Sequence, residues 1–433
     1  MTLSGHARLC TDLHPPLSAH EAQVESSRCY FCHDAPCVTA CPTGIDIPLF
    51  IRQIATSNPK GAAKTIFDEN IFGGMCARVC PTETLCEEAC VRNTAEERPV
   101  RIGELQRHAT DTLMRTGTQP FSRAAASGKR VAVVGAGPAG LSCAHRLAVH
   151  GHAVVVYDAH PKPGGLNEYG IAAYKTIDDF AQAEVEYIVS IGGIEIEHGK
   201  ALGADLSLDA LKAEFDAVFL GVGLGASNAL DIDGAELDGV DDAIEFIARL
   251  RQTDDLSSLD IPRRLVVIGG GMTAIDAAVQ SSMLGAEEVS IAYRRERADM
   301  NASVFEQELA QTSGVMIRTG LSPRRIIGEN GRVSAMEFDR VRTDKGAMVL
   351  TGERVVLPCD GILRAIGQRF VPWQEDASLE LAGGRLKVDE ERRTTDASVW
   401  AGGDCAATGE DLTVAAVQDG KLAAESMHRV LTS

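Results

Sequence analysis

Eight of the twelve cysteines lie within residues 29–90, in two runs whose spacing suits metal binding. The runs are Cys29-x2-Cys32-x4-Cys37-x3-Cys41-Pro42 and Cys76-x3-Cys80-Pro81-x4-Cys86-x3-Cys90. Structural zinc prefers paired Cys-x-x-Cys knuckles, of which this region has one, whereas runs of four cysteines suit iron–sulfur clusters. The spacing alone therefore predicts two clusters, each bound by four thiolates, with the two runs exchanging their last members. Zinc is the alternative.

The other cysteines stand singly, and we expect them to be small side chains of the core: Cys10, Cys143, Cys359 and Cys405. No apolar run approaches the roughly 18 residues of a membrane helix, and the start MTLSGHARLC lacks the features of a signal peptide. The sequence therefore predicts a cytoplasmic protein, in which thiols stay reduced. The net charge of −19 argues against nucleic acid or an anionic membrane as the partner.

A first dinucleotide-binding pattern follows the apolar run VAVV. Gly135, Gly137 and Gly140 form G-x-G-x-x-G at the start of a predicted helix, whose N-terminus attracts phosphate. The next apolar run ends at Asp158, where an acid binds ribose hydroxyls. Strand, glycine turn, helix, second strand and acid together predict a nucleotide site.

A second pattern of the same kind has Gly269 and Gly271, with Ala274 in the third place. Its second strand ends in Arg294 and Arg295 rather than in an acid. Arginine binds a 2′-phosphate, so this end favours NADPH, although two solvated arginines at a strand end are the plainer interpretation.

We expect a helical region to position the cysteines and two α/β sheets to position the glycine patterns. Residues 1–28 have the pattern of a loosely ordered lead-in, residues from Cys29 to about Met114 favour helices, and GTQPFSRAAASGK resembles a linker. Short strands such as AVFLGVG and RLKVD, with the closing strand and helix after VWAGGD, are expected to complete doubly wound sheets. The fold class is an α-helical iron–sulfur domain followed by α/β, with two Rossmann-like domains.

The two patterns resemble the two-dinucleotide-binding flavoprotein reductases over residues 129–433. The resemblance implies FAD at the first pattern and NADH or NADPH at the second, inserted one. The expected domains are 1–118 with two 4Fe-4S clusters, 119–236 and 357–433 for FAD, and 237–356 for NAD(P). Further matches are Pro163-Gly164-Gly165-Leu166, Gly221-Val222-Gly223, Ala365-Ile366-Gly367 and Gly402-Gly403-Asp404.

By this resemblance Asp404 binds the ribityl chain of FAD, and the helix that begins near Thr413 and Val414 points its N-terminus at the flavin. The expected cofactor-binding residues are Gly135, Gly137, Pro138, Ala139, Gly140, Asp158, Gly165, Leu166, Gly269, Gly271, Met272, Thr273, Ala274, Arg294, Arg295, Gly367, Gly403, Asp404, Thr413 and Val414. Hydride transfer depends on alignment, so we expect no catalytic acid or base.

The cysteine region is similar to the helical iron–sulfur domain shared by dihydropyrimidine dehydrogenase and the glutamate synthase small subunit. The long spacing between Cys80 and Cys86, the extra Cys76, and Gln106 in RIGELQRHATD look like the dehydrogenase. That resemblance implies one cluster on Cys29, Cys32, Cys37 and Cys90, and another on Cys41, Cys80, Cys86 and Gln106. Cys76 is then a non-ligand. His33 and His108 lie nearby in the sequence, and we expect them to be surface residues or to contact the ligands without binding iron themselves.

The resemblance implies an electron-input subunit of the bacterial dihydropyrimidine dehydrogenase family, oxidising NAD(P)H through FAD and two 4Fe-4S clusters. Its partner would be an FMN-containing catalytic barrel subunit with ferredoxin-like clusters, which reduces uracil and thymine. The alternatives are a glutamate synthase small subunit or a similar electron donor, and a zinc-stabilised protein without redox activity.

Overall fold

The computed structural model describes residues 11–344, 346–373, 379–408 and 410–433. The chain divides into two compact units. The main unit contains His14–Glu168, Asp178–Gly225 and Phe370–Ser433, and the inserted unit contains Tyr169–Ile177, Ala226–Arg369 and the described residues before His14. The inserted unit is thus wider than the predicted domain at 237–356, and the cysteine region shares a unit with the first dinucleotide-binding pattern.

The cysteine region of the main unit consists of short helices joined by cysteine-bearing loops. Their bounds are α1 Ala19–Ser26, α2 Pro36–Thr39, α3 Ile47–Ala55, α4 Pro59–Glu69, α5 Gly73–Val79, α6 Val91–Glu96 and α7 Ile102–Met114. The expectation of a loosely ordered lead-in is wrong for α1. Ser18 and Glu21 form a capping box at its start, in which each side chain accepts a hydrogen bond from the other residue's backbone N–H.

The rest of the main unit is a five-stranded parallel sheet in the order β17-β4-β1-β2-β3. The strands are β1 Arg130–Val134, β2 Ala153–Asp158, β3 Ile194–His198, β4 Ala217–Leu220 and β17 Val399–Ala401. The accompanying helices are α8 Pro138–Val149, α9 Leu166–Tyr169, α10 Phe180–Val189, α11 Leu208–Glu214 and the closing α15 Thr413–Thr432. Helix α15 crosses α8 closely, since a Cβ on Gly420 would lie 2.0 Å from the carbonyl oxygen of Ala139.

The helical region and the sheet of the main unit share one hydrophobic core. It joins Phe67 and Phe72 of the cysteine region to Leu141 of α8 and Val417 of α15, all essentially buried. Removing this much apolar surface from water is the main stabilising contribution to such an arrangement. The shared core fixes the cysteine loops relative to α15, and this matters for the site below.

The inserted unit contains a second five-stranded parallel sheet in the order β6-β13-β7-β8-β9 and a three-stranded antiparallel sheet. The parallel strands are β6 Val240–Asp242, β7 Arg264–Gly269, β8 Glu288–Tyr293, β9 Met316–Thr319 and β13 Gly361–Ala365. The antiparallel strands are β10 Leu321–Glu329, β11 Arg332–Asp344 and β12 Ala347–Pro358, and the helices are α12 Ala243–Gln252, α13 Met272–Met283 and α14 Val304–Thr312.

Short strand pairs complete both units. They are β5 Ala226–Ser227 with β14 Gln368–Arg369, and β15 Leu381–Ala382 with β16 Arg385–Leu386. The expectation that RLKVD completes a doubly wound sheet is therefore wrong, because β16 forms a two-stranded hairpin with β15 and has only an isolated bridge, from Leu386 to Ala406, beyond it. No helix among the described residues is long and apolar enough to cross a membrane.

Candidate redox-cofactor sites

Four cysteines surround one cavity in the main unit, which we call the four-cysteine cavity. Its volume is about 380 Å³, including solvent at its mouth, and its walls include Cys29, Cys32, Cys37 and Cys90. Cys29 and Cys32 lie on the loop after α1, Cys37 lies on α2, and Cys90 immediately precedes α6. Apolar side chains such as Ile47 and Ile51 form much of the remaining wall.

Four more cysteines line a second cavity of about 360 Å³, together with Gln106, and we call it the Gln106 cavity. Its cysteines are Cys41, Cys76, Cys80 and Cys86. Val414, in the first turn of α15, is also part of its wall. The cavity therefore lies at the start of the helix that the sequence assigns to the flavin.

The structure places the last cysteine of each run at the cavity lined by the other run. Cys90 joins the first run and Cys41 joins the second. No three His, Cys, Asp or Glu side chains among the described residues converge closely enough to bind a single metal ion. Ligation by these particular side chains stays a prediction.

Gln106 lies on α7 and is buried, at 7% exposure. Its Nε2 donates a hydrogen bond of 2.7 Å to the carbonyl oxygen of Gly73. Because an amide nitrogen cannot also act as a metal ligand while it donates in this way, the side-chain oxygen is the atom left for a metal. Cys76 is buried in the same wall, so the structure does not separate it from the predicted ligands by position.

Burial favours the uncharged form of several of these thiols by raising their pKa. It raises the pKa of Cys37 to about 12 and that of Cys86 well above its usual value. The neighbouring Cys76 side chain, followed by burial, raises the pKa of Cys80. Thiolates in such places are stabilised by a metal cation, so this donor set suits metal-bound cysteine.

The polar lining of the Gln106 cavity also fits a bound group. Asn70 lies in its wall and has no exposed surface, yet neither polar atom of its amide has a hydrogen-bond partner among the described residues. Burying an amide without hydrogen-bond partners lowers the stability of the folded protein by about 1 kcal/mol to several kcal/mol. A ligand with acceptor atoms in this cavity would pair with the amide nitrogen and remove that part of the cost.

The first dinucleotide-binding pattern has the geometry that a pyrophosphate site requires. Gly135 has φ of +102°, and a Cβ there would lie 2.2 Å from the carbonyl oxygen of Gly221. A Cβ on Gly165 would lie 2.8 Å from the Cα of Gly137, so side chains here would close the gap between the two loops. Pro138, Ala139 and Gly140 form the first turn of α8, whose free N–H groups attract phosphate.

Asp158, the predicted ribose ligand, is buried at the end of β2. Its Oδ2 accepts from the backbone N–H of Ala136 at 2.6 Å, and its Oδ1 accepts from that of His160 at 2.8 Å. Each carboxylate oxygen has a second lone pair for a hydroxyl group. Asp158 therefore also holds the glycine loop, a role that the motif alone does not predict.

A second unpartnered amide lies where the flavin is expected. Asn167 is buried at 1% exposure, and its Oδ1 accepts from the Thr413 hydroxyl at 3.0 Å. Its Nδ2 is buried with no partner among the described residues. Thr413 is the first residue of α15, so a donor without an acceptor lies beside the positive end of that helix. Flavin rings offer carbonyl and ring-nitrogen acceptors, which fit this donor.

Gly403 and Asp404 form a short turn before α15, and burial raises the pKa of Asp404 to about 6. The turn is held by Asp419 of α15, which is buried and accepts from the backbone N–H of Gly403 at 2.9 Å. Leu166, also a predicted contact, is 40% exposed at the start of α9.

The second pattern lies in the inserted unit. Gly269 has φ of +152°, and a Cβ there would lie 2.2 Å from the carbonyl oxygen of Ala365. Gly271 faces open space immediately before α13, whose first residues are Met272, Thr273 and Ala274. Gly367, which the sequence assigns to FAD, also belongs to the inserted unit.

Arg294 and Arg295 follow β8 and are exposed. The structure shows no hydrogen bond or ion pair of either side chain within the described part of the chain. By contrast, Asp158 at the matching place in the first pattern has both oxygens in use. Two unpaired cations at this position are available to an anionic group.

Cys143, Cys359, Cys405 and the two histidines His33 and His108 are not among the lining residues of either cavity. Cys143, Cys359 and Cys405 have no exposed surface, as expected for core residues, and Cys10 lies outside the described residues. The His33 side chain is 99% exposed. His108 approaches the carbonyl oxygen of Leu17 at 3.2 Å through Nδ1.

Sequence reasoning missed several residues that hold these sites. Asn70, Asn167 and Asp419 are polar residues among apolar neighbours, and such a pattern predicts an ordinary polar position. Thr43, two residues after Cys41, is buried and places its hydroxyl oxygen 3.3 Å from the Cys41 sulfur. The Cys-Pro-Thr spacing offered a weak signal for Thr43, and the other three had none.

Two Rossmann-type units with glycine turns, joined to a helical region with two cysteine-lined cavities, define a class of iron–sulfur flavoprotein oxidoreductases. Comparison with known proteins agrees. The family described as pyridine nucleotide-disulphide oxidoreductase matches residues 129–420. The family described as dihydropyrimidine dehydrogenase domain II, 4Fe-4S cluster, matches residues 7–118.

Individual relatives match along almost the whole chain. The protein is 35% identical over 421 residues to the NAD-dependent dihydropyrimidine dehydrogenase subunit PreT of Salmonella typhimurium, with 97% of each chain covered. It is 34% identical over 442 residues to the small chain of NADPH glutamate synthase from Escherichia coli, covering 96% of this chain and 93% of that one. FprA of Mycobacterium tuberculosis in complex with NADPH has a TM-score of 0.59 at 20% identity, over 70% of this chain and 85% of that chain, which shows the fold alone.

The chain therefore belongs to the pyridine nucleotide-disulphide oxidoreductase family, in the group that also carries a 4Fe-4S domain of the dihydropyrimidine dehydrogenase type. It is an NAD(P)-dependent oxidoreductase with FAD and 4Fe-4S cofactors. The predictions of family, fold class and cofactors are confirmed.

Proposed function

We propose that this chain is an electron-transfer subunit that oxidises NAD(P)H and supplies electrons to a partner subunit that reduces uracil or thymine to 5,6-dihydropyrimidines. The observation that carries the proposal is the Gln106 cavity, which is lined by Gln106 together with Cys41, Cys76, Cys80 and Cys86. The similarity to the dihydropyrimidine dehydrogenase subunit over 97% of the chain supports it.

Bound FAD accepts hydride from NAD(P)H, and 4Fe-4S clusters carry electrons singly. The residues of this chain supply binding and alignment. We propose that the glycine loop and Asp158 bind FAD, that Cys29, Cys32, Cys37 and Cys90 bind one cluster, and that Cys41, Cys80, Cys86 and Gln106 bind the other. No side chain is assigned as a catalytic acid or base.

The position of α15 supports an order for the two clusters. Thr413 in its first turn bonds to Asn167 of the expected flavin site, and Val414 in the same turn lines the Gln106 cavity. We therefore assign the Gln106 cavity to the flavin side. The four-cysteine cavity has Tyr30 and Val91 in its wall, which are 52% and 39% exposed, and we assign it to the partner side.

The proposed partner is an FMN-containing barrel subunit with ferredoxin-like clusters. The names of the relatives divide between NAD and NADPH, and the unpaired Arg294 and Arg295 support binding of a 2′-phosphate. We propose that these arginines bind NADPH. Replacing both with Ala should raise the KM for NADPH by about tenfold to a hundredfold, for a loss of roughly 1–3 kcal/mol, and leave that for NADH nearly unchanged. An equal effect on both coenzymes would remove this role.

The decisive experiment is co-expression with a candidate FMN barrel subunit, followed by an assay of NAD(P)H-dependent uracil reduction. The purified chain should be brown, with iron, acid-labile sulfide and FAD. Colourless protein with stoichiometric zinc would refute the proposal.

Glutamate synthase is the second candidate, because its small chain is 34% identical to this protein over most of both chains. Formation of glutamate from glutamine and 2-oxoglutarate, with no uracil reduction, would favour that function. The assay with the partner subunit therefore separates the two candidates.

A further inference from the structure

The side chain of Asn70 presents an unusual energetic problem. It is fully buried, and neither its amide nitrogen nor its amide oxygen has a partner among the described residues. Buried polar groups in folded proteins nearly always have hydrogen bonds, and an exception calls for an explanation such as a bound ligand. Asn70 is part of the wall of the Gln106 cavity, so the missing partner has a place to bind.

The backbone around Asn70 is firmly placed. Its N–H donates to the carbonyl oxygen of Ile66 at the end of α4, and its carbonyl accepts from the N–H of Gly73 at 3.0 Å. The carbonyl oxygen of Gly73 in turn accepts from Gln106 Nε2. One short turn therefore positions both the Asn70 amide and the Gln106 amide at the same cavity.

The chemistry of the expected occupant matches an amide donor. Metal-bound thiolate and inorganic sulfide are anionic acceptors, and hydrogen bonds to these sulfurs are among the factors that set the potential of an iron–sulfur cluster. Donation stabilises the reduced form more than the oxidised form, because reduction adds negative charge to the sulfurs. The donor should therefore raise the reduction potential.

We propose that the Asn70 amide donates hydrogen bonds to sulfur of the cluster in the Gln106 cavity and raises its reduction potential. Asn70 is a positioning residue, since the metal ligands remain the cysteines and Gln106. The inference rests on the proposed assignment of a cluster to this cavity and goes beyond the ligand set, because the sequence pattern gives Asn70 no role.

The test compares Asn70→Leu with wild type in the full chain, using potentiometric titration followed by EPR. Leu has a similar size but no donor, so the midpoint of one cluster should move to a more negative potential. The signal of the other cluster serves as an internal reference and should not move. The apo-protein should melt at the same or a higher temperature, because the unpaired buried amide is gone.

Two further variants keep the inference testable. Asn70→Ser retains a smaller donor and should restore part of the shift. Asn167→Leu is the matched control, because it removes a buried amide whose nitrogen is likewise without a partner among the described residues, but from the expected flavin site. It should change the visible spectrum of the flavin and leave both cluster signals unaltered.

The outcomes separate the alternatives. An Asn70→Leu variant with full iron and an unchanged midpoint would overturn the inference, as would loss of the cluster from both the Leu and Ser variants, which would indicate a requirement for shape. Loss from Leu with retention in Ser would support donation. Absence of iron from the wild-type protein would instead refute the proposed function itself.

Discussion

The four-cysteine cavity and the Gln106 cavity are built from the same two cysteine runs but have different walls. The first has Tyr30 and Val91 at an exposed edge, and its other lining residues are mainly apolar. The second contains the amides of Asn70 and Gln106 and touches α15 through Val414. A cavity with neutral ligands and donors stabilises extra negative charge, and a cavity at the surface permits close approach of a partner. The difference supports the separate tasks that we propose for the two sites.

The largest effect should come from removing one ligand of each set. Cys37→Ala and Cys86→Ala should each lose about half of the iron and one EPR signal, since we propose that each cavity binds one of two equal clusters. Electron delivery to the partner should fall roughly 100-fold or more in both variants, while reduction of FAD by NAD(P)H continues. Iron analysis and stopped-flow absorbance measure these effects.

The matched control is Cys143→Ala, which removes a buried core cysteine from the same unit. It should keep full iron content. If Cys37→Ala and Cys86→Ala lost the same EPR signal, the division of the cysteines between two cavities would be contradicted.

A smaller effect is expected from Gln106→Leu. The substitution removes the amide oxygen and the hydrogen bond to Gly73. One cluster should therefore change its EPR spectrum and become more labile, and the protein should lose at most half of its total iron. The second cluster should be unaffected. An unchanged spectrum of both clusters would remove Gln106 from the ligand set and make the two cavities chemically alike.

Substitutions at the exposed edge of the four-cysteine cavity should act on the partner alone. Val91→Asp places a charge in an apolar part of this edge and should weaken transfer to the partner about tenfold, a typical effect of 1–2 kcal/mol at an interface. Reduction of a small acceptor such as ferricyanide should be unaffected. Val430→Asp is the control, because Val430 is similarly exposed near the end of α15.

Equal effects of Val91→Asp and Val430→Asp on partner activity would contradict the assignment of the four-cysteine cavity to the partner side. Steady-state assays at several partner concentrations measure the change, which should appear in KM for the partner.

The cysteine runs show how far spacing alone can define such a site. Because the side chains of each set must surround one cluster, regular gaps predict the grouping of Cys29, Cys32, Cys37 and Cys90, and the structure gathers these four. The glycine turns at Gly135 and Gly269 were equally predictable, since positive φ and close carbonyl contacts exclude other residues.

Residues whose role depends on tertiary packing could not be recognised from the sequence. Asn70 follows a helix as an ordinary C-cap, and only the fold shows that its side chain is buried in a cavity wall. Strand β12 also escaped prediction, because nearly all of its residues are exposed and it has no buried face that would create an apolar period. The local sequence pattern indicates which residues of one helix or strand are buried. The position of Asn70 and the pairing of β12 depend instead on chain segments that are distant in the sequence.

The smallest predicted effect concerns pH and the Gln106 cavity. Glu184 of α10 is fully buried, and its Oε1 accepts from the N–H of Met75 at 3.0 Å in the first turn of α5, the helix that carries Cys76. Burial raises the pKa of Glu184 to about 8. The folded protein therefore binds this proton more tightly than the unfolded chain, whose carboxyl has its usual pKa of 4.5.

The sign of the effect follows from proton linkage. Between about pH 4.5 and pH 8 the native state holds a proton that the unfolded state has lost, so stability falls as pH rises through this range. Glu184→Gln keeps an acceptor for Met75 and does not titrate. Between pH 6 and pH 9 the free energy of unfolding of the wild type should decrease. The decrease should be smaller by roughly 1–3 kcal/mol in Glu184→Gln, as measured by urea denaturation at each pH.

Glu186→Gln provides the comparison, because Glu186 lies on the same helix but is exposed, and its removal should leave the pH slope unchanged. The same pH dependence should also distinguish the two cavities. Since Glu184 supports α5, loss of iron at high pH should begin with the cluster of the Gln106 cavity and be delayed in Glu184→Gln. Simultaneous loss of both clusters at the same pH would show that α5 does not control this site separately.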